Sequence, residues 1–414
     1  MRESKLKLKR KRLVKPISYE PLSVRESLTR MKNISELMID LAYSSVIFNN
    51  EELAEEVFTL EEEIDNLVYL TIMNISLAIR DKDDAEQLLG LYGLCIGTDE
   101  VSNAAADIAS IVRMDVPPHP LIKMINEAAE ERIEKYSISP KSCVCDKKLS
   151  ELEFESNLGV HILAIKRNGK WTFDPSGSTE LKANDIVLAI GADLGLKQFE
   201  KIVRGESTNI DIVLPKKSKV EDIELTEEGK ILLKMKEISE FMVYLAYSSL
   251  ALSDFSIAEE VLFLENYVDS LLTKFQIQIL EKPYGATAEQ AIGLLRVASA
   301  SENIADAAVR IASLVESLST KTHPVINLIA SETEEVVLKV TLSPESILVD
   351  KPLSKLKLKD TVGMTILSVR RSDEWIHRPP ENFVLRDGDV LLLYGYKDSI
   401  ERMKRLADGS EKEL

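Results

Sequence analysis

Apolar residues recur at three- and four-residue spacing over about 24–48, where Ile34, Leu37, Met38, Leu41, Ala42 and Ser45 share one stripe, and this predicts an amphipathic helix. Leu53, Val57, Leu60, Ile64 and Leu67 predict a second helix over about 51–80, and a third follows over about 83–113. Pro117, Pro118 and Pro120 end the third and start a short fourth over about 120–135. Seams of this kind pack as an antiparallel bundle. After Ser139-Pro140 the period drops towards two, in SCVCD, VHILAIKRNGKWTF and DIVLAIGA, with Gly and Asn turns between and a short helix at LGLKQFEKIV. The same succession returns, with helices over about 225–252, 254–281, 286–317 and 323–336, strands SILVD, MTILSVRRSDEWIH and DVLLLYGY, and the helix SIERMKRLA. The fold class is α+β: two tandem units, each an antiparallel helical bundle followed by a small β-rich domain with helices.

The recurrence is a duplication. Between 31–68 and 235–272, at an offset of 204 and without a gap, 19 of 38 positions are identical, including LAYSS at 41–45 and 245–249. TDEVSNAAADIASIV (98–112) answers SENIADAAVRIASLV (301–315) at an offset of 203, and 204 is regained at His119-Pro120 against His323-Pro324. It holds through Trp171 against Trp375 and Asp185 against Asp389. The Ala and Ser residues of LAYSS are small enough to admit a neighbouring helix, so the motif reads as a packing site, with Tyr43 on its flank where the hydroxyl can find a partner. Residues 204–224 follow neither period and read as the linker between units.

With 414 residues, 45% hydrophobic and 29% charged, the chain can bury substantial cores. No apolar run reaches the roughly 18 to 20 residues that span a bilayer. The start lacks the apolar core of a secretory signal, and three cysteines supply no disulfide framework, so a cytosolic location is expected. Net charge is -17, yet residues 1–16 hold eight Lys or Arg against one Glu, which leaves -24 on the rest. So acidic a body repels nucleic acid; the basic arm reads as a solubilising tail, and its charge also suits an anionic membrane surface or the acidic face of a partner.

Little in the sequence points to catalysis. Cys143 and Cys145 lie two apart on an expected strand, but the second copy has Ile347 and Val349 there, so they read as apolar positions filled once by Cys. His119 and His323 precede prolines at helix starts and read as caps or turn residues. G-x-S-x-G, G-K-[ST] and G-x-G-x-x-G are all absent, so no enzyme is expected. Carboxylates say more. Glu61 and Asp65 lie four apart, Glu265 and Asp269 repeat them, and Glu302 with Asp306 makes the same spacing on the next helix, where the first copy has Asp99 and Asn103. Like charges at this spacing cost an isolated helix about 0.2 to 0.5 kcal/mol. Converging from two helices, such oxygens suit a hard cation; the alternative is a solvated acidic face.

These acids carry a resemblance. A bundle with E-x-x-x-D on consecutive helices, here L-E-E-E-I-D at 60–65 and S-E-N-I-A-D at 301–306 in an alanine-rich helix, resembles the PhoU domain. The resemblance implies metal binding at Glu61, Asp65, Glu265, Asp269, Glu302 and Asp306, with Mg, Mn, Fe or Zn as the ion and Asp99 as a further candidate ligand, in an accessory regulator of transport and its signalling. Asp99 with Asn103 departs from the motif. The β-rich modules resemble the TrkA-C domain, also called RCK-C, in DKKLSELEF…VHILAIKRNGKWTFDPSGSTELKANDIVLAIG and DKPLSKLKL…MTILSVRRSDEWIHRPPENFVLRDGDVLLLYG. That resemblance implies control of cation channels and transporters, commonly of potassium, by small ligands held between paired domains. Arg167 and Arg371, on matching strands, are then the candidates to meet a small anionic ligand. The dinucleotide-binding domain that usually precedes this module is not found, so no nucleotide cofactor is expected.

The resulting plan is a basic arm at 1–21, PhoU-like bundles at 22–136 and 225–337, TrkA-C modules at 137–205 and 338–414, and a linker at 206–224. The expected function is a non-catalytic regulatory subunit of a potassium or divalent cation transport system. Its partner would be a membrane cation transporter met at the inner face of the membrane, and its units would pair as an intramolecular pseudo-dimer or as a homodimer. The alternatives are a phosphate-response signalling adaptor of PhoU type and a metal-binding protein built on the acidic helices.

Overall fold

The computed structural model describes residues 22–114, 118–129, 131–208, 225–281, 287–319, 335–372, 374–377, 379–396 and 399–412. The basic arm at 1–21, most of the linker, and His323 with the fourth helix expected at 323–336 lie outside or largely outside these residues.

Three long helices open the first unit: α1 (Val24–Ile47), α2 (Glu51–Ala78) and α3 (Lys82–Ala109), the last ending in a 3-10 turn over Ser110–Arg113. Each start is fixed by a side chain that takes an orphan backbone N–H. Ser23 and Glu26 form a reciprocal capping box on α1, Asn50 accepts from Glu52 and Leu53 on α2, and Asp81 accepts from Asp84 on α3. His119 is the cap of α4 (Pro120–Ala128), its Nδ1 accepting from the Leu121 amide at 3.1 Å.

The expected fourth helix ran to 135, but it ends at Ala128, and β1 (Glu131–Ser137) begins before the expected module boundary at 137. Asn126 decides this. Its amide takes both backbone groups of Ile133, at 3.0 Å each, and so holds the strand edge against the helix end. Two helical turns, α5 (Leu149–Leu152) and α6 (Phe154–Leu158), then lead to β2 (Val160–Arg167), β3 (Lys170–Phe173), β4 (Ile186–Ala192) and α7 (Asp193–Arg204). The sheet is antiparallel in the order β1-β4-β2-β3.

SCVCD is a pair of turns rather than a strand. Ser142 Oγ donates to Ile202 O at 2.6 Å and Asp146 takes a positive φ of 63°, which curls the segment around the wholly buried Val144. Ser346, Leu348 and Asp350 repeat this arrangement. The buried position is thus the one between the cysteines, and their sulfurs sit against the Ser207 and Ser139 carbonyls.

The second unit repeats the order with α8 (Glu227–Leu252), α9 (Phe255–Glu281), α10 (Ala288–Ser319), β5 (Glu335–Thr341), the turns α11 (Leu353–Leu356) and α12 (Leu358–Val362), β6 (Met364–Arg371), β7 (Glu374–His377), β8 (Val390–Tyr396) and α13 (Ile400–Asp408). Its sheet order is β5-β8-β6-β7.

One apolar core runs through both bundles. α3 and α10 cross it antiparallel, with Gly93 against Leu314, Gly97 against Ile311 and Gly293 against Ile111. A Cβ on Gly97 would stand 2.6 Å from Ile311 Cγ1, so this glycine sets how closely the repeats approach. Each sheet is buried on both faces. Leu163, Ala164 and Leu188, with Leu367 and Leu392 in the copy, join the bundle core, while Ile162, Ile165, Val187 and Ala189 pack with Phe199 and Ile202 of α7. A bulge between Ile162 and Ala164, repeated between Ile366 and Ser368, shifts the alternation so that β2 and β6 can serve both cores.

Candidate functional site

The paired acids lie on the faces of α9 and α10 that flank the buried seam of Val261, Leu264 and Val268. The helix period places Glu265 above Asp269 and Glu302 above Asp306, and antiparallel packing brings the two pairs together. Carboxylate oxygens of Glu265, Asp269 and Asp306 all lie within 4.8 Å of one another. Burial, then Asp306, Asp269 and Glu265, push the Glu302 carboxyl up to about 6. Glu265 is raised by burial and by Asp269 and Asp306; Asp306 is raised by burial and Asp269, with Arg310 opposing. Arg310 is itself engaged by Glu100 at 2.6 Å.

In the first bundle Asp99 is pushed up to about 6 by burial, then by Asp65, with Glu61 and Glu100 adding less and Asn103 opposing. Asn103 Nδ2 donates to Asp99 Oδ2 at 3.2 Å. The seven acids singled out in the sequence thus form two electrostatically coupled sets, one per bundle; among the described residues only the second brings three carboxylate oxygens within 4.8 Å, and it has a carboxylate where the first has the Asn103 amide. Clustered like charges raise one another until a cation neutralises them. An all-oxygen donor set fits a hard divalent ion such as Mg²⁺ or Mn²⁺ better than zinc, for which nitrogen and sulfur ligands are usual.

Arg167 and Arg371 have another setting. Arg371 Nε and Nη2 donate to Asp389 Oδ1 and Oδ2 at 2.8 and 2.7 Å, and Nη2 also donates to the Val384 carbonyl at 2.8 Å. Arg167 does the same with Asp185, at 2.8 and 2.7 Å, and with the Glu180 carbonyl at 2.6 Å. Both aspartates are 1% exposed and accept a further backbone N–H, from Lys182 or Arg386. Hydrogen bonding to its aspartate holds each guanidinium above its ordinary pKa. These arginines lock the loop before β4 or β8 onto the end of β2 or β6. The signal was present in the sequence, because Asp185 and Asp389 recur at the same offset as the arginines.

Sequence reasoning did not find the polar groups where the bundles meet. Tyr43 Oη lies 2.9 Å from Ser301 Oγ, and Tyr247 Oη lies 2.8 Å from Thr98 Oγ1. Ser301 and Thr98 also donate to the carbonyls of Val297 and Leu94, so the tyrosines are the donors across the seam. LAYSS is a packing site, as expected, and its tyrosine reaches the other repeat. Each sheet is also tied to the start of its bundle's second helix: Lys166 and Trp171 engage Glu52, and Lys339 engages Asp254 at 2.7 Å.

Residues 28–112 and 232–315 match the family model of the PhoU domain, and residues 133–204 and 337–408 that of the TrkA-C domain. Among curated proteins, Potassium channel protein 1 of Methanocaldococcus jannaschii is 31% identical over 85 residues, which are 20% of this chain and 25% of that protein. Probable potassium channel protein 2 of the same organism is 29% identical over 76 residues, 18% of this chain and 22% of that one. The chain thus spans about a quarter of the length of the curated relatives it matches. Among solved structures, PhoU from Pseudomonas aeruginosa shares 15% identity at a TM-score of 0.37, covering 72% of this chain and 96% of that one. The GsuK RCK domain shares 14% at 0.19, covering 75% and 79%.

Proposed function

Because the chain is a tandem protein of two PhoU domains and two TrkA-C domains, we propose that it is a non-catalytic regulatory subunit of a cation transport system, with potassium as the first ion to test. The observation that carries this reading is the occurrence of two TrkA-C domains in a chain whose matched relatives are named potassium channel proteins. No helix among the described residues is long and apolar enough to cross a membrane. The reading makes the channel or transporter a partner of this chain.

Packing suggests how a signal would pass. Both sheets share the bundle core, and on the second unit Ser368 Oγ of β6 donates to Glu260 Oε2 of α9 at 2.6 Å inside it. A small ligand that shifts a sheet would move the bundle with it. One or two such contacts can supply the roughly 1 to 3 kcal/mol of coupling usual in allosteric proteins. The acid clusters would hold a divalent cation on the outer faces of the same helices; the three carboxylates within 4.8 Å favour this second role.

Potassium uptake by native cells, with and without the gene, tests the proposal together with affinity capture from gently solubilised membranes. An altered uptake rate and a polytopic cation transporter in the eluate, lost when 131–208 and 335–412 are deleted, are expected. Normal uptake with only soluble signalling proteins captured would instead support the phosphate-response adaptor.

A further inference from the structure

A cleft of about 780 Å³ opens where the first bundle meets its sheet, between Thr29 and Leu37 of α1, Glu56 and Leu60 of α2, and Phe173 of β3. That volume is in the range of small-molecule sites. Neither the acid clusters nor the arginine locks contribute to it.

The second unit provides an internal comparison at the same positions. Thr29, Leu37 and Glu63 correspond to Leu233, Phe241 and Tyr267, all three of which pack against the core. Glu56 corresponds to Glu260, which is 1% exposed and accepts the Ser368 hydroxyl. The position of Ser368 is Ala164 in the first unit, so Glu56 faces a neighbour with no hydroxyl to offer. Nearby, Thr29 Oγ1 is shielded from solvent without a hydrogen-bond partner among the described residues. One unit has filled this space with apolar groups and satisfied its acid; the other has kept the space and an acid, Glu56, lining it.

The charges limit what could occupy it. Four acids, Glu26, Glu56, Glu63 and Asp174, line the cleft against Arg25 and Arg30. Glu26 is engaged in the cap of α1, and Glu63 is held by Arg30 at 2.7 Å. Burial, and then Glu63, raise the pKa of Glu56. Leu37, Leu60 and Phe173 offer an apolar floor between the polar groups.

We propose that this cleft binds a small organic ammonium ion with a short aliphatic body, its N–H groups donating to Glu56 and its chain lying on Leu37, Leu60 and Phe173. Four acids against two arginines leave the lining net negative; an ammonium group brings the balancing charge and a donor to Glu56, and the aliphatic part displaces water from the floor. The site is asymmetric, one per chain, although the chain is a duplication. It stands or falls independently of the transport reading.

Titration calorimetry on the full chain tests it, with n-pentylammonium as the probe and pentan-1-ol and potassium chloride as controls. The expected result is saturable binding of one pentylammonium per chain at about 1 mM or below, with neither control competing. Glu56→Gln should weaken it at least about tenfold, since a charge-assisted hydrogen bond is lost while the shape is kept. The double substitution Thr29→Leu and Leu37→Phe, which installs the second unit's residues, should abolish binding and leave the thermal midpoint unchanged or higher. The proposal is overturned if pentylammonium shows no saturable binding, if pentanol or potassium competes equally, or if Glu56→Gln binds like the parent.

Discussion

Lys32 and Tyr247 belong to different repeats, yet the Lys32 ammonium lies 5.4 Å from the centre of the Tyr247 ring; reciprocally, Lys236 lies 4.9 Å from the ring of Tyr43. With the tyrosine hydroxyls bonded to Ser301 and Thr98, the two repeats clasp one another through equivalent residues. A chain that carries both halves of a two-fold pair forms this interface at the effective concentration its linker sets.

Both lysines are almost wholly buried, each paired at 2.7 Å with the glutamate four residues on, Glu36 or Glu240. The second oxygen of each glutamate is buried without a hydrogen bond among the described residues. Breaking such a pair costs more than removing it. Lys236→Met should therefore destabilise the chain by about 3 kcal/mol, and Lys236→Met with Glu240→Leu should recover most of that. Urea unfolding followed by helical circular dichroism reads both; equal losses in the single and double variants would contradict the account.

Asp40 gives the seam a pH dependence. Burial first, and then Glu240, push its carboxyl up to about 8, with Lys236 and His161 opposing and Glu131 adding to the rise. A raised carboxyl pKa means the folded state binds the more tightly held proton. Stability from this group is full below the unfolded value near 3.8 and declines as pH rises towards 8. Asp40→Asn, which imitates the protonated acid, should match the parent at pH 4 and exceed it in thermal midpoint at pH 8. The second unit has Tyr244 at this position, ring to ring with Tyr394 at 5.9 Å, and should show no counterpart.

At the arginine locks the expected effect is structural. Arg371→Ala leaves the buried Asp389 with only a backbone donor and should cost about 2 to 3 kcal/mol. Arg371→Lys should restore little of it, because one ammonium cannot make the paired contact. The more exposed Arg167 should cost less. Thermal unfolding of the three variants decides; a lysine variant as stable as the parent would show that charge alone suffices.

Manganese binding distinguishes the acid clusters. The second bundle, with Glu302 where the first has Asp99 and with Asp306 where the first has Asn103, should bind Mn²⁺ more tightly, as read by paramagnetic resonance of the free ion. Asp269→Ala with Asp306→Ala should remove that site. Affinity should fall as pH drops from about 7 to 5, because protons compete at the raised carboxyls; over the same interval metal-free protein should gain stability as their repulsion is relieved. Affinity that does not change with pH would exclude the raised groups as ligands.

What the sequence determined by itself is whatever is local or repeated. The extents of the three long helices of each bundle follow from apolar spacing and caps, and the gapless match around LAYSS established the tandem plan, because the 3.6-residue period and a shared ancestry are both written in one dimension. The i, i+4 acids were legible as pairs for the same reason. Tertiary structure decided which surfaces met. Asn126 turned the end of an expected helix into the start of a sheet, and Asp185 and Asp389 pair with the arginines named as ligand candidates. Tyr43 and Tyr247 crossed to the opposite repeat. Ala164 in place of Ser368, with Thr29 in place of Leu233, left one cleft open where its twin is filled. Such outcomes depend on which side chains meet, across 7 positions for Asn126 and Ile133 and 258 for Tyr43 and Ser301, and a periodic pattern specifies a face without specifying its partner.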